Sequence, residues 1–171
     1  MNIIYIHQYF STRSGRTGTR SFEFARYLST RGHRITIITS GLHNAQFPAH
    51  NGKRFTCFEA DGLRVISVRA GYNDPHYGTT LSGSRRTFSF FIFCIEAYRI
   101  ARKFADTDLI FATHTPLTVG LTGIWLSKRF RTPFIFEVRD LWPEALVNTG
   151  ALKNPVLAKL MGALANYIYH H

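Results

Sequence analysis

The sequence predicts a single α/β domain, doubly wound, with a mostly parallel sheet and a β-hairpin inserted in it. Three observations carry this expectation. Short apolar or β-branched runs recur at 3–6, 35–39, 109–112 and 134–138, each bounded by polar or turn residues and too short for a core helix. Segments with helical spacing lie between them, so strands and helices alternate. Two further segments of strand-like alternation, 54–60 and 63–69, flank Asp61-Gly62, a dipeptide that fits a two-residue hairpin turn.

Taken in order, the first run ends at His7 and leads into a polar loop, 11–18. Beyond it Phe22, Ala25 and Leu28 recur at helical spacing, and Gly32 stands where a helix C-cap belongs. The run at 35–39 then closes a βαβ unit within the first 39 residues. After the hairpin comes a loop at 70–84 rich in Gly, Pro, Asn and Ser, and helical patterning resumes over 85–104. The strand at 109–112 ends in His114-Thr115-Pro116, a helix follows over 117–130, and Thr132-Pro133 breaks it. In the last strand Phe134, Ile135, Phe136 and Val138 surround Glu137, which reads as a buried strand running into a cluster of charge. Pro143 is placed to start a helix, and 155–169 has the pattern of a further amphipathic one. No repeat beyond the alternation, no low-complexity tract and no linker interrupts it, so 1–171 reads as one domain.

A chain of 171 residues buries a sufficient core without a disulfide or metal staple. Cys57 and Cys94 lie in a strand-like and an apolar segment, with no partner at metal or redox spacing, which points to a reducing, cytoplasmic compartment. Lys and Arg number 21 against 10 Asp and Glu, a net charge of +11 that favours anionic partners. Those basic residues are spread over loops and helix ends, not set along a recognition helix or an aromatic platform, so nucleic acid is not the expected partner. The amino terminus lacks the basic and apolar regions of a signal peptide, and no apolar run reaches the length of a bilayer span.

In an open α/β sheet, ligands sit outside the carboxyl ends of the strands. Three stretches place polar chemistry there. The loop Gly15-Arg16-Thr17-Gly18 with Arg20 precedes a helix; it reads either as a cradle for a phosphate, with backbone and arginines as donors, or as a flexible turn with solvated arginines. It is neither a G-x-G-x-x-G nor a Walker loop. His114 follows a buried strand and reads either as a group that accepts a proton or holds a hydroxyl, or as a hydrogen-bonding loop histidine; His7 ends the first strand at the same edge. Beyond the last strand Arg139 and Asp140 stand side by side. Trp142 either stacks on a sugar or packs the next helix, and Arg139 and Glu144 either line a site or form a structural ion pair. Glu137, inside the strand, needs a partner. The segment 85–104 adds Arg85, Arg86, Arg99, Arg102 and Lys103 to a crowded aromatic run with Phe90 and Phe91. It reads either as an interfacial membrane helix or as a helix buried on several sides.

Met1–His7, Gly15–Arg20 with the following 21–28, Arg31-Gly32-His33, 116–121 and above all Phe136–Glu144 together resemble the N-terminal domain of family 4 glycosyltransferases of the GT-B fold. The resemblance spans essentially the whole chain and is strongest to the WbuB-like branch that builds bacterial O-antigen and capsule repeats. It implies a Rossmann-like, acceptor-side half of a retaining transferase, with nucleotide-sugar and lipid-linked or saccharide acceptor as substrates, no further cofactor and no metal. On that implication His114 and Asp140 act at the reacting hydroxyl. Gly15, Arg16, Thr17, Gly18 and Arg20 approach the donor diphosphate or the acceptor, while His7, Arg139, Trp142 and Glu144 line the acceptor side. The expected location is the inner face of the cell membrane. The chain stops at His171, inside the helix that in the family leads toward the donor-binding half, so that half is expected to be absent. The polypeptide alone is then expected to be inactive, and to need a separate C-terminal domain or to self-associate; a non-catalytic docking module is the alternative.

Overall fold

The structure is a computed structural model and describes residues 1–15, 18–40, 47–71, 83–150 and 152–171. Arg16, Thr17 and most of the expected loop at 70–84 therefore lie outside the described residues. The elements in order are β1 (Asn2–Ile6), α1 (Arg20–Thr30), β2 (Arg34–Thr39), β3 (Phe55–Ala60), β4 (Leu63–Val68), α2 (Gly83–Ala101), β5 (Leu109–Thr113), α3 (Val119–Phe130), β6 (Phe134–Glu137), α4 (Glu144–Asn148) and α5 (Pro155–Tyr169). One six-stranded sheet has the order β3-β4-β2-β1-β5-β6, parallel throughout except for β3.

Period-two alternation sends successive side chains of each strand to opposite faces, and both faces are apolar. Ile4 and Ile6 join Ile38, Ile66, Ile110 and Ala112 under α2 and α3, through Phe93, Ala97, Val119 and Leu126. Ile3 and Tyr5 join Ile35, Ile37 and Val65 under α1, through Phe22 and Ala25. The hairpin turn is made by Asp61 and Gly62, both at positive φ (51° and 76°), as a primed turn demands. Its second strand, β4, enters the parallel core beside β2, and β3 closes the edge. Gly32, at φ 82°, follows the C-cap of α1 as expected.

Three expectations need correction. The last strand is not fully buried: β6 is the outer strand of the sheet, and Ile135 is exposed. Phe90 does not face outward from α2, because it packs into the core, and the exposed aromatics of that helix are Phe88 and Phe91. The α-helix also ends at Ala101, with Arg102 and Lys103 continuing only as a turn.

β6 is held by an unusually close approach of α3. A Cβ at Gly123 would collide with the Phe134 ring, and one at Gly120 with Ile168 of α5. Asn154 starts α5, its side-chain oxygen accepting from Val156 N at 2.9 Å and Leu157 N at 3.2 Å, with Pro155 in the first turn. Among the described residues no helix is long and apolar enough to cross a membrane. Both cysteines are free; burial pushes the Cys94 thiol up to about 11, and it accepts from Thr122 Oγ1 at 3.1 Å.

Candidate functional site

β1, β5 and β6 are neighbours, so their carboxyl ends place His7, Thr113, His114 and Glu137 along one edge. Thr113 is the pivot. Its hydroxyl donates to Glu137 Oε2 at 2.7 Å, and its one proton being used there, its oxygen accepts from Tyr5 OH at 2.9 Å. Arg20 Nη2 stands 2.8 Å from Glu137 Oε1, an ion pair approached too obliquely to count as a hydrogen bond. The partner that Glu137 requires is thus a hydroxyl from β5 and a guanidinium from the first turn of α1. Arg20 also lies over the Phe24 ring, 5.5 Å from its centroid. Burial raises the Tyr5 pKa, so the phenol stays a donor.

The two histidines are deeply buried, and among the described residues His7 Nδ1 and His114 Nε2 have no hydrogen-bond partner. Burial lowers the pKa of His7 to about 3, helped by the charge of Arg139 and, once His114 is itself protonated, by that of His114. It lowers that of His114 to about 4, with Asp140 opposing and Arg139 reinforcing the shift. Both rings are therefore neutral at pH 7. Arg139 and Asp140 are exposed, and their fields reaching the histidines mark them as the rim of the same site. His114 is enclosed edge-on by Trp142, at 5.2 Å between ring centroids, and by Phe136 at 6.3 Å.

Some candidates stand apart from this centre. Trp142 packs with Leu117, Ile124, Ala165 and Ile168, on α3, its approach and α5 rather than on the helix that follows it. Glu144 is exposed at the start of α4, and among the described residues it makes no ion pair with Arg139. Gly15 is held by its N–H to Thr12 O at 3.0 Å. Gly18 is exposed, has no positive φ, and a Cβ there would meet nothing, so the fold itself does not require glycine at that position. Two described clefts, one lined by 48–57 and one at the amino ends of β1, β2 and β4 beside Lys103, lie away from the strand-end edge. Among the described residues no three His, Cys, Asp or Glu side chains converge as a metal set.

Sequence reasoning missed Tyr5, Thr113 and Gln8, whose side-chain amide is buried without a partner among the described residues. The available signal was a hydroxyl in each of two apolar strands, which reads equally well as strand composition.

Residues 17–171 match the glycosyl transferase 4-like domain. The chain belongs to that family. No curated protein sequence matches it significantly. Among solved structures it is similar to sucrose-phosphate synthase from Thermosynechococcus elongatus, with 14% identity and a TM-score of 0.58 over 90% of this chain and 36% of that one. It is also similar to the catalytic domain of starch synthase IV from Arabidopsis thaliana bound to ADP and acarbose, with 12% identity and a TM-score of 0.56 over 81% of this chain and 34% of that one. At these identities the likeness concerns the fold, the Rossmann-like half of a GT-B glycosyltransferase. This glycosyl transferase 4-like chain spans about a third of the length of either structure.

Proposed function

We propose that this chain is the acceptor-side half of a retaining glycosyltransferase that moves a sugar from a nucleotide-sugar to a lipid-linked or saccharide acceptor in bacterial surface polysaccharide synthesis. The observation that carries the reading is the pair of neutral, buried imidazoles of His7 and His114 at the strand ends, rimmed by Arg139 and Asp140, in a chain of this family. In the transfer step a bond forms from an acceptor oxygen to the anomeric carbon and the bond from that carbon to the diphosphate oxygen breaks. The acceptor proton must go somewhere. With its pKa held near 4, His114 is about three units too weak to carry that proton at pH 7, a cost of about 4 kcal/mol. Its neutral Nε2 instead accepts a hydrogen bond and orients the hydroxyl, and the leaving diphosphate oxygen takes the proton. Asp140 accepts from acceptor hydroxyls, while Arg139 and the backbone around Gly15 and Gly18 meet negative charge. Starch synthase IV binding ADP and acarbose supports a nucleoside diphosphate and a glycan as the ligand classes.

The donor-binding wall belongs to a second domain or subunit. The full enclosure of His114 by Trp142 and Phe136 favours a second reading, a docking module without chemistry of its own. One assay separates the two: transfer from a panel of labelled nucleotide-sugars to lipid-linked and soluble acceptors, with and without a separately supplied donor domain. Activity only for the pair supports the transferase, with kcat reduced by His114→Ala. A pair that stays inactive across the panel while the chain still binds its partner leaves the docking module.

A further inference from the structure

The outward stripe of α2 is apolar where a helix on a protein surface is ordinarily polar. Phe88, Phe91 and Ile95 fall at i, i+3 and i+7 and are 64%, 46% and 44% exposed. Trp125 of α3, 39% exposed, extends the patch sideways, its ring 5.8 Å from that of Tyr98 on α2. The buried face of the helix is the opposite one, with Phe90, Phe93, Cys94, Ala97 and Ala101 in the core. Charge brackets the stripe: Arg85 and Arg86 are exposed at its start, Arg102 and Lys103 beyond its end, about 25 Å apart at helical rise. Its one acid, Glu96, is taken by Arg99 at 2.6 Å. The N-terminal half of this helix is tied to the turn that follows His114 in the chain, because Thr118 donates to Phe90 O at 3.3 Å.

We infer that this surface docks on an anionic lipid bilayer, with Phe88, Phe91, Ile95 and Trp125 entering the headgroup–acyl boundary and the basic brackets meeting lipid phosphates. An apolar stripe flanked by cations along a helix matches the two layers of such an interface, whereas a protein partner would have to cover aromatics and cations together with its own carboxylates. Docked this way, the helix lies in the membrane plane and the strand-end site opens beside the headgroups. A lipid-linked acceptor then reaches the exposed rim at Arg139 and Asp140 without leaving the bilayer. The inference deepens the acceptor reading proposed above but does not depend on transfer chemistry.

The test is flotation of the whole chain with vesicles of phosphatidylcholine alone, and with about one-third phosphatidylglycerol. The expected result is flotation with the anionic vesicles only, weakened by salt. Phe88→Ser/Phe91→Ser should lower the partition coefficient at least about tenfold, while Val156→Ser, an exposed apolar site on α5, leaves it unchanged. Thermal melts confirm that the double variant folds. Equal flotation of wild type and double variant, or no flotation of the wild type with anionic vesicles, overturns the inference. Because no sugar transfer is read, either failure leaves the transferase reading standing for soluble acceptors.

Discussion

β1 brings His7 to the site from the middle of the sheet, whereas β6 brings Glu137 to it from the rim. The interior strand is fixed by burial: Ile3, Ile4, Tyr5 and Ile6 are all covered by helices and by strands on both sides. The rim strand has one neighbour and an outward residue, Ile135, that is 48% exposed. It is fixed instead by the approach of α3 at Gly123 and by the polar tie from Glu137 to Thr113 and Arg20. Where hydrophobic burial is incomplete, a shared carboxylate fastens the strand at the end where the candidate site lies.

The sharpest way to break this comparison is to truncate one isoleucine in each strand. Ile6→Ala opens a cavity among close-packed neighbours and should cost about 2–5 kcal/mol of unfolding free energy. Ile135→Ala removes a side chain half in water and should cost less than about 1 kcal/mol. Urea unfolding of both variants measures the contrast. Equal losses would mean that the rim strand is as tightly packed as the middle one.

That contrast also explains what could be read in advance. The alternation of strands and helices, the Asp61-Gly62 turn, the Gly32 cap and the gathering of His7, His114 and Glu137 at one end follow from local spacing and from the rule for parallel sheets. Rim position does not. Phe134, Ile135 and Phe136 make the same apolar run whether a strand has one neighbour or two, and strand order is decided by contacts remote in sequence. Phe90 and Phe91 pose the same problem: in a helix rich in aromatics on several sides, only the packing against β4 and α3 settles which ring is inside. Tyr5 was hidden because its chain neighbours are isoleucines and its partner, Thr113, is 108 residues away.

Acid distinguishes the two regions a second time, since the shifted titrations belong to the interior edge. An unfolded histidine titrates near 6.5, and the folded values fall to about 4 for His114 and about 3 for His7. Between those limits the unfolded chain binds protons that the folded chain excludes, so stability is full above about pH 6.5 and is lost as pH falls. Each histidine contributes about 2 kcal/mol of loss between pH 6.5 and 5. In denaturant titrations over that range, His7→Asn should flatten the dependence by roughly its own share, whatever it does to stability at neutral pH. An unchanged slope would show that His7 is protonated in the fold or solvated at the site edge.

The smallest effect should come from the charge of Glu137. Glu137→Gln keeps an oxygen to accept from Thr113 and keeps the shape of the side chain, so the chain of hydrogen bonds from Tyr5 survives. What it removes is the attraction to Arg20, whose side chain is half in water and therefore screened. The expected loss is about 1 kcal/mol or less, read in the same urea titration. A loss beyond about 2 kcal/mol would mean that the carboxylate charge, and not the Thr113 hydrogen bond, holds the rim strand. A near-zero loss would leave Arg20 resting over the Phe24 ring, a cation available to an anionic ligand at little structural cost.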